Sequence, residues 1–297
     1  MSLSLIEANL VCVGLVVADL LARMWRVQWI LRGLGCRITA REAFTLNVIG
    51  DAACALTPLR IGGEPARLAV MLRSRVPATA AFVTIGVEVL AAWPVIIVAA
   101  GTLAWWYAPE WWAAAAPALA ASARGAWPWL LLVVLLSLLA WLAARRLASP
   151  AARQIQRPLK RARVYWHRMP LWPLLASAPL TLVNLVSRVA ILPVLALALP
   201  HPPPLGPAAV GSFALLYSQL LLPTPSGAGA IELGFLSGVA GELGPQAAWL
   251  LLGWRIYSNG VSIVLGTWLA GQEFGWPILM RAVRRFGGAH REAPPST

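Results

Sequence analysis

The chain has 297 residues, of which 59% are hydrophobic and only 12% charged, and it carries a formal net charge of +13. That balance excludes a soluble globular domain and points to a polytopic helical membrane protein. It does not mark a nucleic-acid binder, because the basic residues fall into four clusters at 23–41, 60–75, 145–168 and 281–291, between apolar stretches.

Taken in chain order, the apolar stretch 8–21 is the first predicted span. A bilayer crossing needs roughly 20 mostly apolar residues. No basic leader precedes it, and Glu7 and Asp19 lie within or beside it, so it reads as a retained span rather than a cleaved signal. Thr39-Ala40-Arg41-Glu42 then has the form of a capping box opening a helix over 42–56. Further spans are predicted at 78–106, 127–147, 171–199 and 247–271, the one at 171–199 interrupted by Pro173, Pro179 and Pro193. Trp105, Trp106, Trp111, Trp112, Trp127 and Trp129 gather where two of these spans should surface, as interfacial anchors do.

The charge clusters orient the path. Under the positive-inside rule all four basic clusters are cytoplasmic, whereas 107–126 and 200–246 hold a single basic residue, Arg124, and lie outside. A full crossing by 42–56 would leave Arg60, Arg67, Arg73 and Arg75 outside. The segment is therefore expected to enter from the cytoplasm, break at 58–63 and return through a helix starting near Glu64-Pro65. Residues 207–243 must start and end outside, and fit a second hairpin broken at 223–229.

Those two breaks are the chemically richest segments. Leu56-Thr57-Pro58-Leu59-Arg60-Ile61-Gly62-Gly63-Glu64-Pro65 and Leu222-Pro223-Thr224-Pro225-Ser226-Gly227-Ala228-Gly229-Ala230-Ile231-Glu232 each place an apolar approach, a proline, two glycines and a glutamate in one order. Irregular backbone at membrane depth is tolerated where it is buried in protein or lines a polar cavity. Corresponding breaks in two halves point to a binding site between inverted repeats. The expected architecture is all-α, with about five full spans and two oppositely oriented re-entrant hairpins. It forms one transmembrane domain over 1–275, followed by a short basic cytoplasmic tail over 276–297.

Polar residues recur at helical spacing inside the spans, and ionisable groups there face a cavity or a partner. Ser177, Thr181, Asn184 and Arg188 are spaced 4, 3 and 4, and Arg255, Asn259, Ser262 and Gly266 repeat that spacing, so each set is expected on one helix face. Asn47 pairs with Asp51 in the same sense, Thr84 with Glu88, and Ser212 with Gln219. These groups either pair with one another as interhelical glue or line a cavity, and both readings stay open. Cys12, Cys36 and Cys54 are isolated, and His167, His201 and His290 are scattered, so no metal or cofactor is expected. No nucleotide-binding motif is present.

At these residues the chain resembles the transmembrane, flippase-like family of lysylphosphatidylglycerol synthases. Residues 47–67 are similar to that family's P-x-R-x-G-E-x-x-R region and 223–232 to its P-x-P-G-G-x-G-x-x-E region, and Arg255 fits as well. This chain has an extra glycine in the first motif, and Ser226-Gly227-Ala228-Gly229 in the second. The resemblance implies movement of an anionic, aminoacylated or glycosylated phospholipid between leaflets of a bacterial cytoplasmic membrane. The synthase activity of longer relatives resides in a separate soluble domain, so no enzymatic activity is expected of these residues. The implied substrate-binding set is Asp51, Arg60, Glu64, Arg67, Arg188, Glu232, Arg255 and Asn259. Arg60, Arg67, Arg188 and Arg255 are phosphate candidates, since guanidinium pairs bidentately with phosphate. Asp51, Glu64 and Glu232 would hold the arginines, bind a cationic headgroup or carry a coupling proton. The partner is a membrane lipid and not nucleic acid, and a GxxxG match at 234–238 is compatible with a homodimer. The alternatives are an accessory or scaffold protein of a lipid or hopanoid-type pathway, and an integral-membrane lipid-modifying enzyme.

Overall fold

The computed structural model describes residues 3–107, 135, 161–167, 169–219, 224–229, 231–232, 235 and 246–276. Apart from Leu135, the span expected at 127–147 lies outside the described residues, as do the outside segment at 108–126 and the tail from 277. Every described element is helical.

Helix α1, Leu5–Gly33, opens on a capping box in which Ser4 and Glu7 satisfy each other's free donors. It runs twelve residues beyond the apolar stretch seen in the sequence, so that Arg23 and Arg26 lie inside the helix and are buried. Helix α2, Ala40–Leu56, is capped by Thr39 and Glu42 as its sequence predicts. A single 3-10 turn, Pro58–Arg60, separates it from α3, Gly63–Arg73. Gly63 packs on Cys54 and Gly50 on Arg67, so the two helices run antiparallel as a hairpin.

Helices α4, Ala78–Tyr107, and α5, Trp172–Ala196, are long, and with α1 they are the three described helices long and apolar enough to cross a membrane. Pro94 lies within α4, and Pro179 and Pro193 within α5. Helix α6, Leu205–Ser218, leads towards a second 3-10 turn, Pro225–Gly227. The chain ends its described part in α7, Gln246–Arg255, and α8, Val261–Phe274, joined without a break through a wide turn at Ile256–Gly260. In that turn the N–H of Val261 reaches back five residues to the carbonyl of Ile256.

The packing is layered along the helices. Cys12, Ile191, Leu192, Leu250 and Trp254 form one apolar cluster, and Val27, Leu31, Leu46, Leu269 and Ala270 belong to another. Between the two, α1 carries Asp19, Arg23 and Arg26, α5 carries Ser177 to Arg188, and α7 and α8 carry Arg255 to Ser262. Each of these elements therefore reads apolar, polar, apolar. Outward faces are apolar instead: Leu10, Val13 and Val17 on α1, Ile97 and Val98 on α4, and Leu175 and Leu182 on α5 are exposed. Exposed apolar surface around a polar interior is the pattern of a helix bundle facing lipid.

Candidate functional site

The polar layer is an array of ion pairs. Asp19 sits at the midpoint of α1, fourteen residues from either end, or about 21 Å along the axis. A hydrocarbon core is about 30 Å thick, so this is far from either helix end. Arg23 reaches Asp19 at 2.7 Å and Asp51 of α2 at 2.5 Å. Arg188 of α5 reaches Asp19 at 3.2 Å and Asp51 at 3.1 Å. The four side chains alternate in charge around a closed ring. Asn184 donates to Asp19, and the Ser262 hydroxyl lies 3.5 Å from Asp51. The ring thus ties α1, α2, α5 and α8 together.

A second cluster adjoins it, three residues further along α1, about 4.5 Å of rise. Glu88 of α4, only 3% exposed, accepts from Arg26 at 3.1 Å and from Arg67 of α3. Arg26 also donates to Thr181 at 3.1 Å. Glu64 lies 3.5 Å from Arg67 and is half-exposed. Burying two ions is costly unless the geometry is good and the remaining polar atoms find partners. Here each buried carboxylate has two guanidinium partners.

The two 3-10 turns pack on each other beside these clusters. Ser226 donates its hydroxyl to the Ala55 carbonyl at 2.9 Å. Arg255 donates to the Ser226 carbonyl at 2.8 Å and pairs with Glu232 at 2.5 Å, while the Gly229 N–H holds the other Glu232 oxygen at 2.7 Å. The turns share their backbone. Leu59 has φ 52° and Ser226 φ 50°, and each is followed by a second left-handed residue, Arg60 at φ 57° and Gly227 at φ 66°. Arg60 donates to Gln219 at 2.8 Å. The first turn is less enclosed than its sequence predicts, since Leu59 and Ile61 are exposed.

The structure brings Asp51 and Arg188 into the ring, Glu64 and Arg67 into the second cluster, and Glu232, Arg255 and Arg60 to the paired turns. Asn259 lies apart, buried in the wide turn, with no partner for its Nδ2 among the described residues. The expectation that Arg255, Asn259, Ser262 and Gly266 share one face fails at that turn, which takes more than 3.6 residues per revolution. Arg255 addresses Ser226 and Glu232, whereas Ser262 addresses Asp51 and Gly266 packs on Val48. Sequence reasoning missed Asp19, Arg23 and Arg26 as members of the network. Their spacing of 4 and 3 on one helix was the available signal.

A lateral cavity of about 860 Å³ opens between α4, α5 and α6, lined by apolar groups such as Val95, Val98, Leu182, Val186, Val189 and Leu205. It flanks α5 on a face other than the one carrying Asn184 and Arg188.

Together, the fold and the ion-paired layer define a polytopic α-helical membrane domain with a charged interior. The chain belongs to the family of the lysylphosphatidylglycerol synthase TM region, whose model matches residues 2–266. No curated protein and no solved structure matches the chain.

Proposed function

We propose that this domain moves a phospholipid or lipid-linked headgroup between leaflets. The observation that carries the reading is the closed layer of buried arginines and carboxylates at the depth of α1, α4 and α5, beside two facing breaks in the helices. Ionisable groups inside a membrane are expensive and mark pathways for polar cargo. Helix breaks at such depth are where transporters build their sites. The hairpin of α2 and α3 enters from the cytoplasm, and the segment carrying Pro225–Gly227 enters from the opposite side, so the two are inverted repeats. The headgroup occupies the polar zone between the turns, while the apolar cavity beside α5 accepts an acyl chain, its size being within the ordinary range of ligand pockets.

The protein resides in a bacterial inner membrane with its C-terminus cytoplasmic, and it performs no covalent chemistry on its lipid. A cysteine placed at position 157 should resist impermeant thiol reagents in intact cells; labelling from outside reverses this orientation. Function is tested by reconstitution into liposomes holding fluorescent phosphatidylglycerol, with a membrane-impermeant quencher added outside. Movement between leaflets beyond that of protein-free vesicles is the expected result. Conversion of the lipid to a new mass points to an enzyme instead, and neither outcome points to an accessory role.

A further inference from the structure

The wide turn at Ile256–Gly260 divides two sets of contacts. Before it, α7 makes its main helix contact with α5. Leu250, Leu251 and Trp254 cluster there with Ile191, Leu192 and Leu195, and Arg255 holds the second 3-10 turn through Ser226 and Glu232. After it, α8 makes its main contact with α2. Gly266 sits against Val48 and Ala52, and Leu269 and Ala270 share a cluster with Leu46 and Val48. Glu273, near the end of α8, also pairs with Arg73 of α3 at 3.0 Å. One break of the fold therefore belongs with α7 and the other with α8, and the wide turn is the joint between them. Helix α1, by contrast, passes through both apolar clusters as one regular helix.

The joint is poorly satisfied. Among the described residues, buried side-chain polar atoms without a hydrogen-bond partner gather at it and beside it: Trp254 Nε1, Ser258 Oγ and Asn259 Nδ2, with Arg255 Nη2 held only by its ion pair to Glu232. The others are Ser212 Oγ and the Nε atoms of Arg23 and Arg67. A buried donor left unpaired raises the free energy of the conformation that contains it, and such a group calls for a physical cause. Helices bend at turns of this width. Tyr257, within the turn, donates to Asn9 of α1 at 2.6 Å and pins it to that helix. The ring of ion pairs is close by, since Ser262 lies one residue past the turn's end and 3.5 Å from Asp51. Contacts beside a pivot move least, so the ring can stay closed while the far end of α8 swings. That far end meets Val27 and Leu31 of α1 through apolar side chains, which tolerate sliding.

We infer that the wide turn is a hinge on which α8, together with the hairpin of α2 and α3, swings against α7 and α5. The motion opens and closes the polar layer towards the end of the bundle that holds Arg73 and Glu273. Hinges of this kind are a few residues that absorb a backbone change away from the site they serve. The inference deepens the lipid-transport reading and rests on it for what the motion serves, not for the motion itself.

The test measures distances on the purified full chain in detergent, so it does not depend on transport. Cys12, Cys36 and Cys54 are changed to alanine, and folding is checked by size exclusion. Spin labels are attached at exposed positions. Trp268→Cys of α8 with Leu175→Cys of α5 spans the hinge, and Trp249→Cys of α7 with Val186→Cys of α5 lies on one side of it. Electron–electron resonance should find two separations for the first pair and one for the second. Gly260→Ala stiffens the turn and fits the present conformation, since its Cβ would meet nothing closer than the Arg255 carbonyl oxygen at 3.6 Å. It should bring the first pair to a single separation without lowering the unfolding temperature. Hydrogen exchange on the chain with its native cysteines is the second readout. Amides at 256–261 should exchange at least tenfold faster than those at 247–253 and 263–270, and Gly260→Ala should remove most of that excess. The same number of separations for both pairs, or exchange at 256–261 no faster than in the flanking helices, overturns the hinge. In liposomes, Gly260→Ala should slow lipid movement severalfold. Wild-type movement by folded Gly260→Ala that shows one separation overturns the link between hinge and transport. Two separations across the hinge in a protein that moves no lipid overturn the transport reading alone.

Discussion

Arg23 and Arg188 share both of their anionic partners. Each guanidinium places one nitrogen on Oδ2 of Asp19 and another on Oδ2 of Asp51, at distances from 2.5 to 3.2 Å. Residues on α1, α2 and α5 thereby close a ring that no pair of those helices could complete alone. Removing one member leaves an uncompensated charge in a largely buried layer, which costs about 3–5 kcal/mol.

Asp19→Asn should therefore lower stability far more than Glu64→Gln. Asp19 serves two arginines and is 5% exposed, while Glu64 is half-exposed and lies 3.5 Å from an arginine that Glu88 already neutralises. Exposed pairs of the latter kind are worth about 0–1 kcal/mol. Thermal unfolding in detergent compares the two, and equal losses would show that the ring is not what holds the helices.

The pair Glu232 and Arg255 should behave as a coupled unit. Glu232→Gln and Arg255→Gln each strip a partner from a largely buried ion, and the double change removes both. Contacting charges show coupling of about 0.5–3 kcal/mol. The double variant should lose less stability than the two single losses added together, as a double-mutant cycle on unfolding measures. Each single change should also slow lipid movement in liposomes severalfold. Additive losses with wild-type transport would reduce this pair to ordinary packing.

Leu59→Gly should stabilise the protein. A left-handed conformation costs an L-residue about 1–2 kcal/mol, and a glycine returns about 0.5–1 kcal/mol of that through its greater freedom in the unfolded chain. Leu59 is exposed, so little packing is lost. The expected gain is a few degrees in unfolding temperature, and a fall would mean that the Leu59 side chain is held by contacts the strain account omits.

Close approach rather than strain decides Gly266. A Cβ there would collide with the Val48 carbonyl oxygen and the Ala52 side chain of α2. Gly266→Val should cost about 1–3 kcal/mol or more, because backbone stands in the way and cannot yield. Gly14→Ala is the matched control. Nothing lies within 4 Å of its added Cβ, and alanine is favoured over glycine in a helix by roughly 1 kcal/mol. Similar effects of the two changes on unfolding would contradict the packing of α8 on α2.

Much of this layer was legible in the sequence, and the reason it was not all legible is physical. Thr181, Asn184 and Arg188 of the stripe meet α1 because α5 continues as one helix through them, so spacing translates directly into facing. Asp51, Glu64, Arg67 and Glu232 stood out because charge beside a helix break is conspicuous. Arg23 and Arg26 were read with the cytoplasmic charges, since an apolar run that stops at 21 looks like the end of a span. The helix continues to Gly33 because the arginines find acids on other elements, and pairing at a distance leaves no mark on hydropathy. Gln219, a polar but uncharged residue, gave no sign that it would face Arg60.

The wide turn at Ile256–Gly260 acts on the last helix as a frameshift acts on a reading frame. One surplus residue is stored in it, and every side chain after it is displaced around the axis relative to every side chain before it. Deleting a single residue there, such as Tyr257, would let α7 and α8 fuse into one regular helix while leaving each remaining side chain chemically intact. Arg255 could then keep Glu232, or Ser262 and Gly266 could keep α2, but the fused helix could not satisfy both. The chain is thus tuned by residue count at this point.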